Sequence, residues 1–297
     1  MGPMTWTLTD DVSTCVAAVR ETLARDPERN TVMMSVLASL IKQGPYAFGA
    51  EPPVLGWRAG ADTTPSAVML RTPPHPMHFT TFSAGAPGEA ARELAETLAA
   101  SPVLADPARL DLVIGAEPDA EAFAVAWSAL TGGTFEVTQR QRLYRLGALT
   151  PPDPPAPGTG RVVTEADSDL VRDWEEAFAA EVHQAGPAPA VTRDKLLTGR
   201  VVLWELAGEP LSMAQITPVI SGVARIGQVY TPPGHRGRGY GGAATVAATE
   251  LARARGAGSV ILFTDLANRT SNELYQRLGY RPVEDKVLIG FRHTELM

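Results

Sequence analysis

The chain has 297 residues, of which 44% are hydrophobic, so it is long enough for two domains with buried cores. Its formal net charge of −7 gives no support to a nucleic-acid partner, and its single cysteine, Cys15, excludes an internal disulfide. The first residues do not resemble a signal peptide, and no run of about 18 apolar residues occurs, so we expect a cytoplasmic protein without a membrane partner.

The first half of the chain alternates between helical and strand patterns. Apolar residues at a spacing near 3.6 predict two helices at its start, and shorter β-like runs follow. In chain order we predict helices at 10–26 and 29–44, strands at 54–59, 66–72 and 77–84, a helix at 87–101, a strand at 110–116, a helix at 119–133, and one or two strands at 134–149.

A proline-rich segment, "TPPDPPAPGTG" at 150–160, interrupts this pattern. Its five prolines lack backbone donors and favour an extended chain. The segment therefore predicts an interdomain linker, with one domain at 1–149 and a second at 161–297.

The second half repeats the order of elements found in the first. We predict a strand at 160–166, helices at 168–186 and 191–199, a hairpin at 200–219, a strand at 223–231, a helix at 241–258, a strand at 259–267, a helix at 268–279 and a strand at 286–291. Repetition of the order without repetition of the motifs indicates two copies of one architecture.

A glycine- and arginine-rich loop, "PPGHRGRGYGG" at 232–242, connects a predicted strand to a predicted helix. The first turn of a helix leaves backbone amides unpaired and carries partial positive charge. Glycines allow the backbone to approach a ligand closely, and arginines add charge-assisted bonds to phosphate oxygens. The loop therefore predicts a diphosphate cradle.

Two well-known phosphate loops fit this stretch less well. A Walker loop requires lysine and then serine or threonine after its last glycine, but alanines follow Gly242. Gly237, Gly239 and Gly242 satisfy G-x-G-x-x-G, with Asp265 as an acidic ribose partner. However, only about two strands remain after Asp265, too few for a doubly wound dinucleotide domain.

A third pattern accounts for both the loop and the segment after it. Arg236, Gly239 and Gly241 stand at R-x-x-G-x-G, and about 30 residues later "NRTSNELYQRLGY" matches N-x-x-(A/S)-x-x-L-Y-x-x-x-G-(F/Y). The second half thus resembles the GCN5-related N-acetyltransferase (GNAT) superfamily over residues 225–283. The resemblance implies an α/β (α+β) fold of tandem GNAT-like domains, each with a mixed, centrally splayed sheet flanked by helices. The first domain, which has "GAPGEA" in place of the cradle, would be a degenerate copy that shapes the acceptor cleft or stabilises the fold.

The resemblance also implies roles for individual residues. Tyr275 would be the general acid that protonates the departing thiolate, and Asn268 would contact coenzyme A. Residues of the splayed strand would pair with the pantetheine arm, and the loop would hold the diphosphate of acetyl-CoA, the co-substrate. The residues implied in cofactor binding are Val229, Tyr230, Thr231, Arg236, Gly237, Arg238, Gly239, Tyr240, Gly241 and Asn268.

The general base is less well defined. Family members often have an acidic residue on the strand before the cradle, but Gln228 stands near that position here, and an amide is not a base. We predict Glu181 as the catalytic base, with Glu176, His183 and Glu205 as alternatives. The spacing of histidines and cysteine predicts no metal site.

These observations predict an acyl-CoA-dependent N-acetyltransferase that acts directly on a primary amine of a small molecule or peptide. A non-catalytic acyl-CoA-binding or scaffolding protein is the alternative, because a retained cradle without a strand carboxylate would look the same. The identity of the acceptor, the length of the acyl chain and the oligomeric state are left open.

Overall fold

A computed structural model describes residues 4–60, 64–82, 87–102, 109–182, 186 and 189–292. The chain forms two compact units. The first combines Met1–Arg142 with Glu284–Met297, and the second is Leu143–Val283. None of the helices in the described ranges is long and apolar enough to span a bilayer.

This division differs from the predicted domains 1–149 and 161–297. Residues 284–292 of the last strand belong to the first unit, because they pair antiparallel with an earlier strand, from Lys286 opposite Ala116 to Gly290 opposite Leu112. The proline-rich segment 150–160 is part of the second unit, where the indole Nε1 of Trp204 donates to the carbonyl of Pro157 at 3.0 Å. Prolines lack donors but keep their carbonyl acceptors, so the segment can still be anchored.

The first unit is built around one mixed sheet. Its elements are β1 (Thr5–Thr9), α1 (Val12–Ala24), α2 (Thr31–Gln43), β2 (Val54–Ala59), β3 (Ala67–Arg71), β4 (Met77–Phe79), α3 (Pro87–Ala100), β5 (Leu112–Ala116), α4 (Glu117–Thr131) and residues 134–142 of β6 (Thr134–Leu146). The strand order is β1-β2-β3-β4-β5, then residues 284–292 of β12 (Tyr280–Arg292), then β6. The first strand, β1, was not predicted from the sequence, although Trp6 and Leu8 alternate with threonines in it.

The second unit has the same succession of elements. It contains β7 (Thr159–Val162), α5 (Ser168–Glu181), α6 (Pro189–Leu197), β8 (Val201–Leu206), β9 (Glu209–Ile216), β10 (Val223–Tyr230), α7 (Tyr240–Ala254), β11 (Ser259–Asp265), α8 (Arg269–Arg277) and the start of β12. The strand order is β7-β8-β9-β10-β11, with residues 143–146 of β6 beside β11. The predicted architecture, two copies of one mixed α/β arrangement, is confirmed.

Helices cover both faces of the second sheet. Alanines of α7 at 244, 248 and 252 recur every four residues and pack with Ala224 and Ile226 of β10. On the opposite face, Val171 and Trp174 of α5 pack with Val201, Leu203 and Met213 of the hairpin. Small side chains on α7 allow that helix to approach the sheet closely. The connection between β10 and α7 is short, so the N-terminus of α7 lies near the end of β10.

The 3₁₀ turn Glu165–Asp167, which leads into α5, is held by a buried carboxylate. Asp167 accepts from the backbone amide of Thr164 at 2.7 Å, in a capping box, and from two guanidinium nitrogens of Arg161 at 2.7 and 2.8 Å. The Arg161 guanidinium lowers the pKa of Asp167 to about 2, since it stabilises the charged form.

Candidate functional site

The two central strands of the second unit separate at the loop. Parallel pairing of β10 with β11 runs from Val223–Ser259 to Ile226–Leu262, although the strands continue to Tyr230 and Asp265. Beyond Ile226 the backbone edges of these strands are therefore not joined to each other. The splayed sheet expected from the sequence is confirmed.

The helix N-terminus after this opening has free backbone donors. The amide of Ala243 donates to the carbonyl of Gly239 at 3.0 Å, which is the first i to i−4 bond of α7. The amides of Tyr240, Gly241 and Gly242 consequently begin the helix without an intrahelical acceptor. Three convergent amides and the helix dipole form a site suited to an anion.

Two loop glycines are required by their backbone conformation. Gly237 and Gly239 have φ of +76° and +83°, in the left-handed region that side chains disfavour. Gly239 is the N-cap of α7, so its conformation sets the direction in which the first amides point.

A third glycine lets the helix contact the end of β10. A Cβ on Gly241 would lie 3.2 Å from Thr231 Oγ1 and 3.9 Å from Val229 Cγ1. Tyr230 between them pairs with β9, and its carbonyl accepts from the hydroxyl of Ser212 at 2.9 Å. The strand end and the helix start, both predicted to bind coenzyme A, therefore lie side by side.

The two loop arginines have different surroundings. Arg236 donates through Nε to the carbonyl of Thr231 at 2.8 Å and through Nη2 to Glu181 at 2.5 Å, and its guanidinium lies 5.9 Å from the ring centre of Tyr230. Arg238 is exposed and has no bonding partner among the described residues. Arg236 thus braces the loop, whereas the charge of Arg238 is available to a ligand.

The sequence-derived candidates for a base are occupied or exposed. Glu181 forms the ion pair with Arg236, and Glu205 accepts from Arg161 at 2.6 Å. Glu176 is exposed on α5. His183 lies outside the described residues. The catalytic role of Glu181 stays a prediction, and the structure gives it a bracing contact.

Gln228 occupies an irregular position in β10. The pairing of β10 with β9 shifts register between Gly227 and Tyr230, and Gln228 has φ of +46°. A bulge of this kind redirects side chains and backbone groups at the end of a strand. A positive φ at a residue other than glycine is strained and is enriched at functional sites.

A buried polar network, missed by sequence analysis, lies beside this bulge. Glu175 is 1% exposed, and its Oε1 accepts from Lys195 Nζ at 2.7 Å and from Gln215 Nε2 at 2.8 Å. Its Oε2 accepts from the hydroxyl of Thr192. Lys195 Nζ also donates to Gln228 Oε1 at 2.7 Å, and burial lowers the pKa of this lysine.

One signal in the sequence could have identified this network. Val171, Glu175 and Ala179 are the buried residues of α5 and stand at i, i+4 and i+8. A carboxylate in the apolar stripe of an amphipathic helix must find buried donors, because an unpaired charge is costly there. The identity of the donors depends on the tertiary structure.

Tyr275 and Asn268 lie on α8 in different environments. Tyr275 is buried and meets Tyr280 edge to face, with ring centres 6.1 Å apart; burial raises the pKa of its hydroxyl. Asn268 is exposed and caps α8, its Oδ1 accepting from the amide of Ser271 at 3.0 Å. A Cβ on Gly242 would lie 3.1 Å from Leu274 Cδ1, so α8 lies against the start of α7.

Within the described residues, no group of three or more histidine, cysteine, aspartate or glutamate side chains could hold a metal ion.

Comparison with known proteins matches this site to one family. A family model described as "Acetyltransferase (GNAT) family" matches residues 165–280. No curated protein matches the chain. Among solved structures, a GNAT protein from Sphaerobacter thermophilus is 17% identical with a TM-score of 0.61, covering 99% of this chain and 97% of its own.

Two further solved structures share the fold. A tandem GNAT protein from the clavulanic acid biosynthesis pathway is 13% identical with a TM-score of 0.62, covering 98% of both chains. A GNAT protein from Kribbella flavida is 24% identical with a TM-score of 0.51, covering 78% of this chain and 88% of its own. The match to a tandem protein over nearly the full length agrees with two copies of the fold.

Proposed function

We propose, from the membership of residues 165–280 in the acetyltransferase (GNAT) family, that this tandem GNAT protein transfers an acetyl group from acetyl-CoA to a primary amine. The observation that carries the proposal is the separation of β10 from β11 directly before the N-terminus of α7. An open strand edge and a set of free amides suit the two ends of coenzyme A, an amide-containing arm and a diphosphate.

The amides of Tyr240, Gly241 and Gly242 would bind the diphosphate, with Arg238 adding a charge-assisted bond. The backbone around Val229 would pair with the arm of the cofactor. Arg236 would act on this site indirectly, because its guanidinium is committed to Thr231 and Glu181. Asn268 would contribute mainly by holding the start of α8.

The reaction is direct acyl transfer within one complex. The amine attacks the thioester carbonyl, and the oxygen gains negative charge as the C–N bond forms. A backbone amide of the bulge near Gln228 would stabilise that charge. The C–S bond then breaks, Tyr275 would donate a proton to the departing sulfur, and the new amide nitrogen would release its extra proton to solvent, from which the Tyr275 hydroxyl is restored. Burial raises the pKa of this hydroxyl, so it carries its proton at neutral pH when the thiolate departs.

The amine must lose a proton before it attacks. An alkyl amine with a pKa near 10.4 is charged at pH 7, and its deprotonation costs about 4.6 kcal/mol. Gln228 can accept a hydrogen bond from the amine but cannot take its proton. We therefore expect kcat/KM to rise with pH towards the pKa of the acceptor amine.

A test follows the thiol released from acetyl-CoA in the presence of a panel of amines. The Tyr275→Phe variant should bind coenzyme A normally, measured by calorimetry, and lose at least about tenfold in kcat. The Tyr280→Phe variant is the matched control: it loses the bond to Thr249 Oγ1 but should keep its turnover. Unchanged turnover in Tyr275→Phe would remove this residue from the mechanism.

The second candidate function is acyl-CoA binding without catalysis, favoured by the amide of Gln228 in place of a carboxylate. Binding of coenzyme A, with no thiol released from acetyl-CoA in the presence of any amine of the panel, would support this function. We also propose that only the second unit binds the cofactor, so a titration should give one equivalent of acetyl-CoA per chain. Two equivalents would refute this proposal.

A further inference from the structure

Arg225 is a cation on the central strand β10 for which the reaction outlined above has no use. Its neighbours Ala224 and Ile226 pack on the face of the sheet covered by α7 and α8. Side chains alternate along a strand, so Arg225 projects from the opposite face, on which α5 packs. Gln215 of β9, which donates to Glu175, projects from this same face.

In the part of the chain that the structure describes, the guanidinium of Arg225 has no counterion. Its Nη1 is shielded from solvent and has no hydrogen-bond partner, and no carboxylate of the described residues forms an ion pair with it. Burial lowers the pKa of Arg225 to about 10, and no neighbouring anion offsets this effect. The residue as a whole is only partly buried, which leaves a route for a ligand.

The charges around Arg225 do not balance. Its charge acts on Lys195, the lysine that bonds both Glu175 and Gln228. Glu175 can neutralise one of the two cations, Lys195 or Arg225, but not both. The next cation, Arg200, has its own partner in Asp194. One positive charge is therefore left over on this face of the sheet, and a cation that is partly shielded from water and has no counterion favours the binding of an anion.

We propose that Arg225 binds a carboxylate of the acceptor, so that the substrate is an amine which also carries a carboxylate group. This inference rests on the proposed acetyl transfer. Arg225 precedes Gln228 by three residues, or about 10 Å of strand. The amine would lie at the bulge and the carboxylate at the guanidinium, where planar bidentate bonding is favourable. An ω-amino acid such as lysine spans this separation better than glycine.

The test compares amines that differ only in the carboxylate. The pairs are lysine with cadaverine, β-alanine with ethylamine, and glycine with methylamine; 2-aminoethylphosphonate is added as a phosphonate probe. Thiol release is measured for the full chain and for Arg225→Met, which keeps the length of the side chain, and Arg225→Lys, which keeps its charge. Coenzyme A affinity is measured for each variant by calorimetry.

We expect wild type to prefer the carboxylate member of its best pair by roughly 30-fold or more in kcat/KM, the range for a buried charged hydrogen bond. Arg225→Met should lose this preference, Arg225→Lys should restore part of it, and all should bind coenzyme A equally. Equal use of both members by wild type, or the same preference in Arg225→Met, would overturn the proposal. A stronger preference for the phosphonate would overturn the carboxylate assignment.

A second measurement tests the carboxylate site even if no amine is acetylated and the proposed function fails. The melting temperature of the coenzyme A complex is recorded with lysine and with cadaverine. Stabilisation by lysine alone, lost in Arg225→Met, would support the carboxylate site. A melting temperature that lysine does not raise, together with a lower melting temperature of Arg225→Met itself, would assign Arg225 a structural role and refute the inference.

Discussion

Replacing Glu175 by glutamine removes one negative charge from the buried network and keeps its volume. The carboxylate is 1% exposed and accepts from three side chains, those of Lys195, Gln215 and Thr192. After Glu175→Gln, Lys195 is left as a largely buried cation without a counterion among the described residues. Removing one partner of a buried pair costs about 3–5 kcal/mol. For a domain of this size, 3 kcal/mol corresponds to a loss of roughly 6–12 °C in melting temperature.

Thermal unfolding followed by tryptophan fluorescence measures this effect, because Trp174 adjoins Glu175 in the chain. Glu176→Gln on the exposed side of α5 is the matched control and should change stability by no more than about 0.5 kcal/mol. The double variant Glu175→Gln/Lys195→Met should regain most of the loss, since replacing both members of a buried pair is often close to neutral. The reasoning would be refuted if the loss of stability in the double variant equalled the sum of the two single losses. It would also be refuted if Glu175→Gln unfolded within about 1 kcal/mol of wild type.

The remaining predictions concern the loop and the start of α5. Gly237→Ala and Gly208→Ala both place a side chain at positive φ, with no atom within 4 Å of the new Cβ, so each variant introduces strain of about 1 kcal/mol. Only Gly237→Ala should weaken the binding of coenzyme A, by roughly fivefold as measured by calorimetry. Arg238→Gln should weaken the binding of coenzyme A roughly tenfold at low salt and less at high salt, without a change in melting temperature. An equal loss of affinity at low and at high salt would contradict a phosphate contact. The pKa of Asp167 lies near 2, below its unfolded value, so its contribution of about 1–2 kcal/mol is present above pH 4 and is lost between pH 4 and pH 2. Asp167→Asn should therefore lower stability at pH 7 and flatten this acid transition in denaturant titrations; an unchanged transition would contradict the assignment.

The division of the chain into two units depends on contacts that the sequence does not show. Prolines at 150–160 indicated a linker, but strand pairing decided the division of the chain. The pairing of residues 286–290 with 112–116 joins segments more than 160 positions apart, and no local pattern encodes such a partner. The proline-rich segment itself is held by carbonyl bonds, such as that of Pro157 with Trp204, which proline content does not reveal.

The sequence alone determined most of the order of elements, the tandem α/β architecture and the glycine-rich loop before α7, because these depend on local signals. These signals are the spacing of apolar residues, the glycines that need positive φ and the motif around Arg236. Each can be recognised within a short stretch of the sequence. Only the tertiary structure decided which charges are paired. It pairs Glu181 with Arg236 and Glu175 with Lys195, and among the described residues it leaves Arg225 without a counterion. Burial and ion pairing depend on side chains that meet across elements distant in the chain.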